Sequence, residues 1–319
     1  MAGLSLPRYA TGRLLLGLGQ VVGVATLVFV LTEALPGDAA VVIAGDQPDP
    51  ERIAAVRTAL ELDRPAWQRY LDWLADLLRG DLGVSLVSGR PVADVLTANA
   101  GPTVLLAVLT LLLLVPLAVG VGMLAARREG GRLDRALSAT VVGLYAIPEF
   151  ALAVLLVALF GVHLGWFPPT AVGTGGNLLA QPAVLVLPLV VLLARPVCSL
   201  SRLTRAGMIE AAGSAYVAHA RRLGVPGHRL WLGHALPNAL APVVQQLART
   251  TDWLLGGVIV VEAVFVVPGL GTALVDAVTA RDVPTIQGLC VLVAVVTVTV
   301  NLAADLVAFR LAPAAPVAR

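Results

Sequence analysis

The sequence predicts an all-α integral membrane protein, with six transmembrane helices and a helical segment outside the bilayer between the first and second. Composition is the first observation: 58% of residues are hydrophobic and 13% charged, with a mean hydropathy of +0.88, which is too apolar for a soluble domain. The second is a set of apolar runs at 14–31, 103–126, 137–160, 183–200, 242–264 and 286–309, each near the roughly 20 residues that cross a bilayer. The third is that soluble-type chemistry collects in one stretch, residues 33–100, which holds eleven of the acids and six of the arginines.

Each element has its own reason. No small-residue cleavage site follows the first run, so it reads as a retained helix rather than a secretory signal. Its Gly19 and Gly23 have the spacing of a helix contact, a spacing that 31 glycines make common. In the external segment Asp49-Pro50-Glu51 is a helix start, with a side-chain cap, a proline in the first turn and an acid near the positive dipole end. Ala54, Val56, Leu60 and Leu62 supply an imperfect apolar stripe. A second external helix begins at Pro65, carries Trp67, Tyr70, Leu71, Trp73, Leu74 and Leu77, and ends at Arg79 with Gly80 as its stop. Its aromatic residues suit a membrane interface. The segment is either a hairpin packed on the outer surface or a platform for an external partner.

The third run carries Pro148 and the fourth closes on Arg202-Leu203-Thr204-Arg205. Gln245, Gln246, Arg249 and Asp252 crowd the first half of the fifth, which is cleanly apolar only from Trp253. These elements divide the chain into residues 1–32 (N-terminus and first span), 33–102 (external helical segment) and 103–319 (five-helix membrane domain). A polar loop at about 206–241 interrupts the last of these.

All 22 basic residues other than histidine are arginine. Thirteen flank one face: Arg8, Arg13, Arg127, Arg128, Arg132, Arg135, Arg202, Arg205, Arg221, Arg222, Arg229, Arg310 and Arg319. The opposite face has Arg281, and six more (Arg52, Arg57, Arg64, Arg69, Arg79, Arg90) in a segment too long for charge counting to apply. This bias places both termini in the cytoplasm. A chain without lysine cannot form a Gly-x-x-x-x-Gly-Lys-Ser/Thr phosphate loop, so it is not a P-loop ATPase. Cys198 and Cys290 both fall in apolar helices and read as small core residues, with neither disulfide nor metal-ligand spacing.

The loop between the fourth and fifth runs is basic and punctuated by glycine and proline. Residues 216–224 read Tyr-Val-Ala-His-Ala-Arg-Arg-Leu-Gly, and residues 234–242 read His-Ala-Leu-Pro-Asn-Ala-Leu-Ala-Pro. Two short helices broken at Gly224-Val225-Pro226-Gly227 would project as a knob exposing Arg221, Arg222 and Arg229. Gly224 would make the turn, Leu236 a buried foot and Pro237 a break before the next span. The bland reading of such a loop is a basic patch for anionic lipid.

This loop resembles the ATPase-coupling loop of ABC importer permeases, which runs Glu-Ala-Ala, three residues, Gly, nine residues, Ile, one residue, Leu-Pro. Counting from Gly224 puts Ala218, His219 and Ala220 at the opening triplet, His234 at the Ile position, and Leu236 and Pro237 at the close. The opening glutamate is replaced by Ala218. Glu210-Ala211-Ala212 is a decoy, because Gly213 follows it at once. The pattern Tyr-Val-x-x-Ala-x-x-x-Gly with His-Ala-Leu-x-Asn-Ala-Leu-x-Pro looks like the dipeptide, oligopeptide and nickel permeases, and Tyr216, Val217, Ala220, Gly224, His234, Ala235, Leu236, Asn238, Ala239, Leu240 and Pro242 fit it. Further blocks agree in order: residues 35–38, 62–65, 79–85, 89–92, Pro148, 165–169, 202–205, 261–271 and 281–288.

The resemblance implies a type I ABC importer permease in a bacterial inner membrane. It would form half of a translocation pathway and would not itself be an enzyme. It implies a second homologous permease, two cytoplasmic ATPases that bind ATP-Mg, an external substrate-binding protein, no cofactor in this chain and no nucleic acid. Substrates of this kind span dipeptides, oligopeptides, nickel or another chelate, and other small solutes. The alternative is an ion-coupled secondary transporter, for which the intramembrane residues Glu149, Arg195, Asp252, Glu262 and Asp305 are the relevant signal. No inverted hydropathy repeat accompanies them. Glu149, Arg195, Asp252 and Glu262 are the candidates for the pathway; Arg195 either meets a substrate carboxylate or pairs with Glu149.

Overall fold

The computed structural model describes residues 6–34, 49–59, 64–173 and 178–311. The motif residues Leu35-Pro36-Gly37-Asp38, Leu60, Leu62, Asp63 and Arg319 fall outside these, as do the side chains of Arg52, Val56, Gln245, Asp252 and Arg310. Helices dominate the described residues, and the all-α membrane architecture expected from the sequence is what the structure shows. By internal packing the chain forms two compact units, Met1–Gly101 with Pro268–Arg319, and Pro102–Val267.

The first unit contains α1 (Leu6–Glu33), α2 (Pro50–Ala59), α3 (Ala66–Leu78), the opening turns of α4 (Val92–Arg127), α10 (Leu270–Thr279) and α11 (Val283–Leu311). Asp49 starts α2, its Oδ1 accepting from the Glu51 amide at 3.1 Å. At the end of α3, Gly80 takes φ +83°. Its amide reaches the Leu77 carbonyl and that of Asp81 reaches Asp76, the two bonds of a left-handed helix stop. The aromatic face of α3 lies on α1: Phe29, Tyr70 and Trp73 cluster with centroids 5.2 to 6.4 Å apart, Phe29 and Tyr70 edge to face, and Thr26 and Tyr70 share a 2.6 Å hydrogen bond.

The contact of α1 with α11 runs through Gly17, where a methyl group would lie 2.5 Å from Val298 Cγ1. Gly19 and Gly23, which the spacing argument singles out, have open space around them. Arg13 pairs with Asp305 across the same two helices at 3.1 Å. Much of α1 is otherwise bare, with Leu15 and Leu16 each 64% exposed, as suits a surface solvated by lipid.

The second unit holds the rest of α4, α5 (Arg132–Ala146), α6 (Glu149–Leu156, continued as a π-helix over Val157–His163), α7 (Ala183–Gly213), α8 (Ala215–Arg222) and α9 (Leu236–Phe265). Leu106, Leu152, Val191, Leu192, Leu254 and Phe265 anchor its main core. α4 and α7 approach so closely at Gly122 that a methyl there would meet the Ser201 carbonyl oxygen and Thr204 Cβ at 2.6 Å.

Four helices are long and apolar enough to cross a membrane, and the number reaches six when each of two bent pairs is taken as one span. The run 137–160 is expected as one straight crossing, whereas the structure turns it by 104° between α5 and α6. Pro148 explains the break: it donates no N–H and pushes the preceding Ile147 into extended backbone (ψ 126°). α9 ends at Phe265. There Val266 adopts φ +53°, a left-handed conformation that a β-branched residue rarely takes, and α10 begins beyond Pro268.

Candidate functional site

The polar loop opens where Ser214 ends α7 in extended backbone (ψ 153°) and starts α8, its carbonyl accepting from the Ala218 amide at 3.0 Å. α8 turns Val217 and Ala220 inward and leaves Tyr216, His219, Arg221 and Arg222 exposed. Its end is a complete glycine stop. Gly224 takes φ +80°, the Gly224 amide bonds the Arg221 carbonyl at 3.1 Å, and the Val225 amide bonds Ala220 at 3.2 Å. Val225 packs on Val217, Ala220 and Leu230, the apolar contact that accompanies this motif. The chain restarts at Pro226 with a helical turn (Gly227–Arg229) and a π-helix (Leu230–Ala235) that leads into α9.

The result is a small protrusion whose interior is Val217, Ala220, Val225 and Leu230 and whose surface carries Arg221, Arg222, His228 and Arg229. Leu223 stands between them, 71% exposed. The sequence reading passed over Leu223, since an apolar residue three positions after a buried alanine looks like core. Gly224 exposes the same tip.

The returning strand of the knob is tied to α8 through one carbonyl. The His234 oxygen accepts from Tyr216 Oη at 3.3 Å and from Asn238 Nδ2 at 2.8 Å, while the His234 ring reaches the Arg229 carbonyl through Nδ1 at 3.2 Å. Leu236 is half-buried and packs on the cluster of Ala126, Met208, Ala211, Ala235 and Ala239. Pro237 departs from expectation: it does not break the chain but lies in the first turn of α9. The decoy Glu210-Ala211-Ala212 forms the last turns of α7.

Two further contacts fix the base of the loop. The Arg127 guanidinium stacks over Trp231, 5.5 Å from the ring centroid, a cation–π contact. Arg205 on α7 binds Asp134 on α5 in a two-pronged pair, Nε to Oδ1 at 2.6 Å and Nη2 to Oδ2 at 2.7 Å, and the Gly130 amide donates to Oδ2 at 2.9 Å. Neither contact was foreseen, because 71 residues separate Asp134 from Arg205.

Glu262 is fully buried in α9. Glu149 opens α6 beyond Pro148 and lies against Gly257, at whose position a Cβ would stand 2.9 Å from Oε1. That buried oxygen has no hydrogen-bond partner among the described residues. No salt bridge within 4 Å joins Arg195 to Glu149 among the described residues; the Arg195 guanidinium sits 5.1 Å from the centroid of Tyr145. The side chain of Asp252 lies outside the described residues.

A family profile described as "Binding-protein-dependent transport system inner membrane component" matches residues 118–315. Its N-terminal companion, "Binding-prot-dependent transport system membrane comp, N-term", matches residues 8–107. The chain is similar to the probable peptide ABC transporter permease protein y4tP of Sinorhizobium fredii, 35% identical over 300 residues, covering 93% of this chain and 96% of the relative. It is also similar to the glutathione transport system permease protein GsiC of Escherichia coli O6:H1, 36% identical over 291 residues, covering 91% and 93%. These matches take in nearly the whole chain and do not favour an ion-coupled secondary transporter. The chain therefore belongs to the inner-membrane components of binding-protein-dependent transport systems, the permease subunits of ABC importers.

Proposed function

We propose that this permease imports peptides or similarly small solutes as half of a translocation pathway, and that its 206–241 loop is the surface on which a cytoplasmic ATPase docks. The observation that carries the docking role is the knob itself: a glycine-capped pair of helical turns with an apolar interior, presenting Arg221, Arg222, Arg229 and Leu223 outward. An ordinary basic loop for anionic lipid needs no such internal packing. Tyr216 ties the two arms together at the His234 carbonyl, so a force applied at the tip is delivered to α7 and α9. The similarity to peptide and glutathione permeases supports the substrate class.

The full assembly in this reading comprises a second homologous permease, two ATPases binding ATP-Mg, and an external substrate-binding protein. Both termini and the knob face the cytoplasm, on the side with the excess of arginine. Transport is a shift between inward-open and outward-open states, driven by their different affinities for partners and solute. Glu149, Arg195, Asp252 and Glu262 are assigned to the pathway. The test is purification of tagged protein in mild detergent, followed by mass spectrometry and an ATPase assay. Recovery of a second permease-like chain with Walker-motif ATPases is the expected result. A lone chain that carries out gradient-driven uptake in liposomes would overturn the proposal.

A further inference from the structure

We propose that a cavity in the second unit binds a free carboxylate of the transported solute, held between the guanidinium groups of Arg195 on α7 and Arg249 on α9. The cavity measures about 180 Å³, and its wall includes Tyr145, Arg195, Ser199, Gln246, Arg249 and Trp253. This assignment rests on the importer reading above and specifies the chemical group that the pathway recognises.

Three observations carry it. The first is position. Arg195 is the thirteenth residue of α7, about 18 Å along a helix that rises 1.5 Å per residue, so it stands deep within a span. Arginine at such depth is costly against lipid and is retained facing a bundle interior or a water-filled space.

The second is that both guanidinium groups reach solvent. Among the described residues neither Arg195 nor Arg249 forms an ion pair, and both remain exposed to solvent in the isolated chain. The Arg195 guanidinium lies against the Tyr145 ring, a contact that orients the fork without neutralising it. The third is the rest of the wall. Gln246 offers a neutral hydrogen-bonding group beside the two charges, and Trp253 and Tyr145 offer ring faces for the remainder of a small solute. Two guanidinium forks match the planar geometry of carboxylates, which they bind bidentately. A peptide with its C-terminal carboxylate free is such a solute; its amide is not.

The test uses the assembled complex, with Cys198→Ala and Cys290→Ala removing the native thiols and Ser199→Cys placing a reporter on the cavity wall. The readout is the rate of labelling by N-ethylmaleimide, a neutral reagent. Dialanine is expected to slow labelling about tenfold when saturating, and dialaninamide less than about twofold, since only the acid forms charge-assisted bonds. Arg195→Gln and Arg249→Gln should each abolish this difference, and Arg195→Lys should retain part of it. Acetate and acetamide form a second probe pair. Equal protection by acid and amide, no protection by either acid, or unchanged protection in both glutamine variants would overturn the proposal. If the glutamine variants fail to assemble, the acid-against-amide comparison with both arginines present decides alone. A wild-type complex that imports no dialanine would refute the peptide reading separately, while acetate protection still reports on the carboxylate site.

Discussion

Replacement of Gly224 separates a local backbone requirement from the coupling role of the loop. Its φ of +80° lies where a side chain is strained, yet no atom stands within 4 Å of a Cβ built there. Gly224→Ala therefore suffers only the dihedral penalty, about 1–2 kcal/mol. Gly224→Pro cannot adopt a positive φ, and it removes the amide that bonds the Arg221 carbonyl. With the turn lost, the Val225-to-Ala220 bond goes as well. Two hydrogen bonds at about 0.5–1.5 kcal/mol each, together with the loss of the Val225 contact, exceed what a knob of three buried side chains and the half-buried Val225 can absorb. In the reconstituted complex, Gly224→Ala should keep at least half of the binding-protein-stimulated ATP hydrolysis. Gly224→Pro should abolish the stimulation while the protein still inserts and is recovered in normal amount. Wild-type stimulation in Gly224→Pro would refute both the cap and the assigned role of the knob.

Other substitutions probe the supports of the site. Gly122→Val places a branched side chain against the Ser201 carbonyl and Thr204, and overpacking of this kind costs about 1–3 kcal/mol; thermal unfolding in detergent should show a lower midpoint than for Gly120→Val, whose site is open. Arg205→Met strands the Asp134 carboxylate, so its unfolding midpoint should fall below that of the double variant Arg205→Met/Asp134→Leu, and the reverse order would show that the pair contributes little. Asn238→Ala removes one of the two donors to the His234 carbonyl and should cost about 1 kcal/mol, read as faster proteolytic cleavage at the knob with membrane insertion unchanged.

The local devices were legible in the sequence because each is decided within five or six residues. Asp49-Pro50-Glu51 starts a helix, Gly80 and Gly224 stop helices at positive φ, and Pro148 interrupts the third apolar run. That Pro148 turns the chain by 104° was not legible, since a proline can kink a membrane helix or break it, and neighbouring helices select between the two. Spacing motifs fared worse where contact geometry mattered. Gly19 and Gly23 have the small-residue spacing, but the side of α1 that meets α11 is the one bearing Gly17.

The sequence by itself determined the membrane class, the set of apolar runs, the positions of the glycine stops and the resemblance of the 216–242 loop, because hydropathy and backbone conformational limits act on short stretches of chain. Only the tertiary structure decided which charges meet. Arg205 finds Asp134 from 71 residues away, Arg195 lies over Tyr145, and Arg195 and Arg249 come to line one cavity. Those partnerships depend on the angle and rotation at which α5, α7 and α9 pack. These are set by close approaches such as Gly122 on Ser201 and Gly207 on Ala239, and no single stretch of sequence encodes the two sides of such a contact.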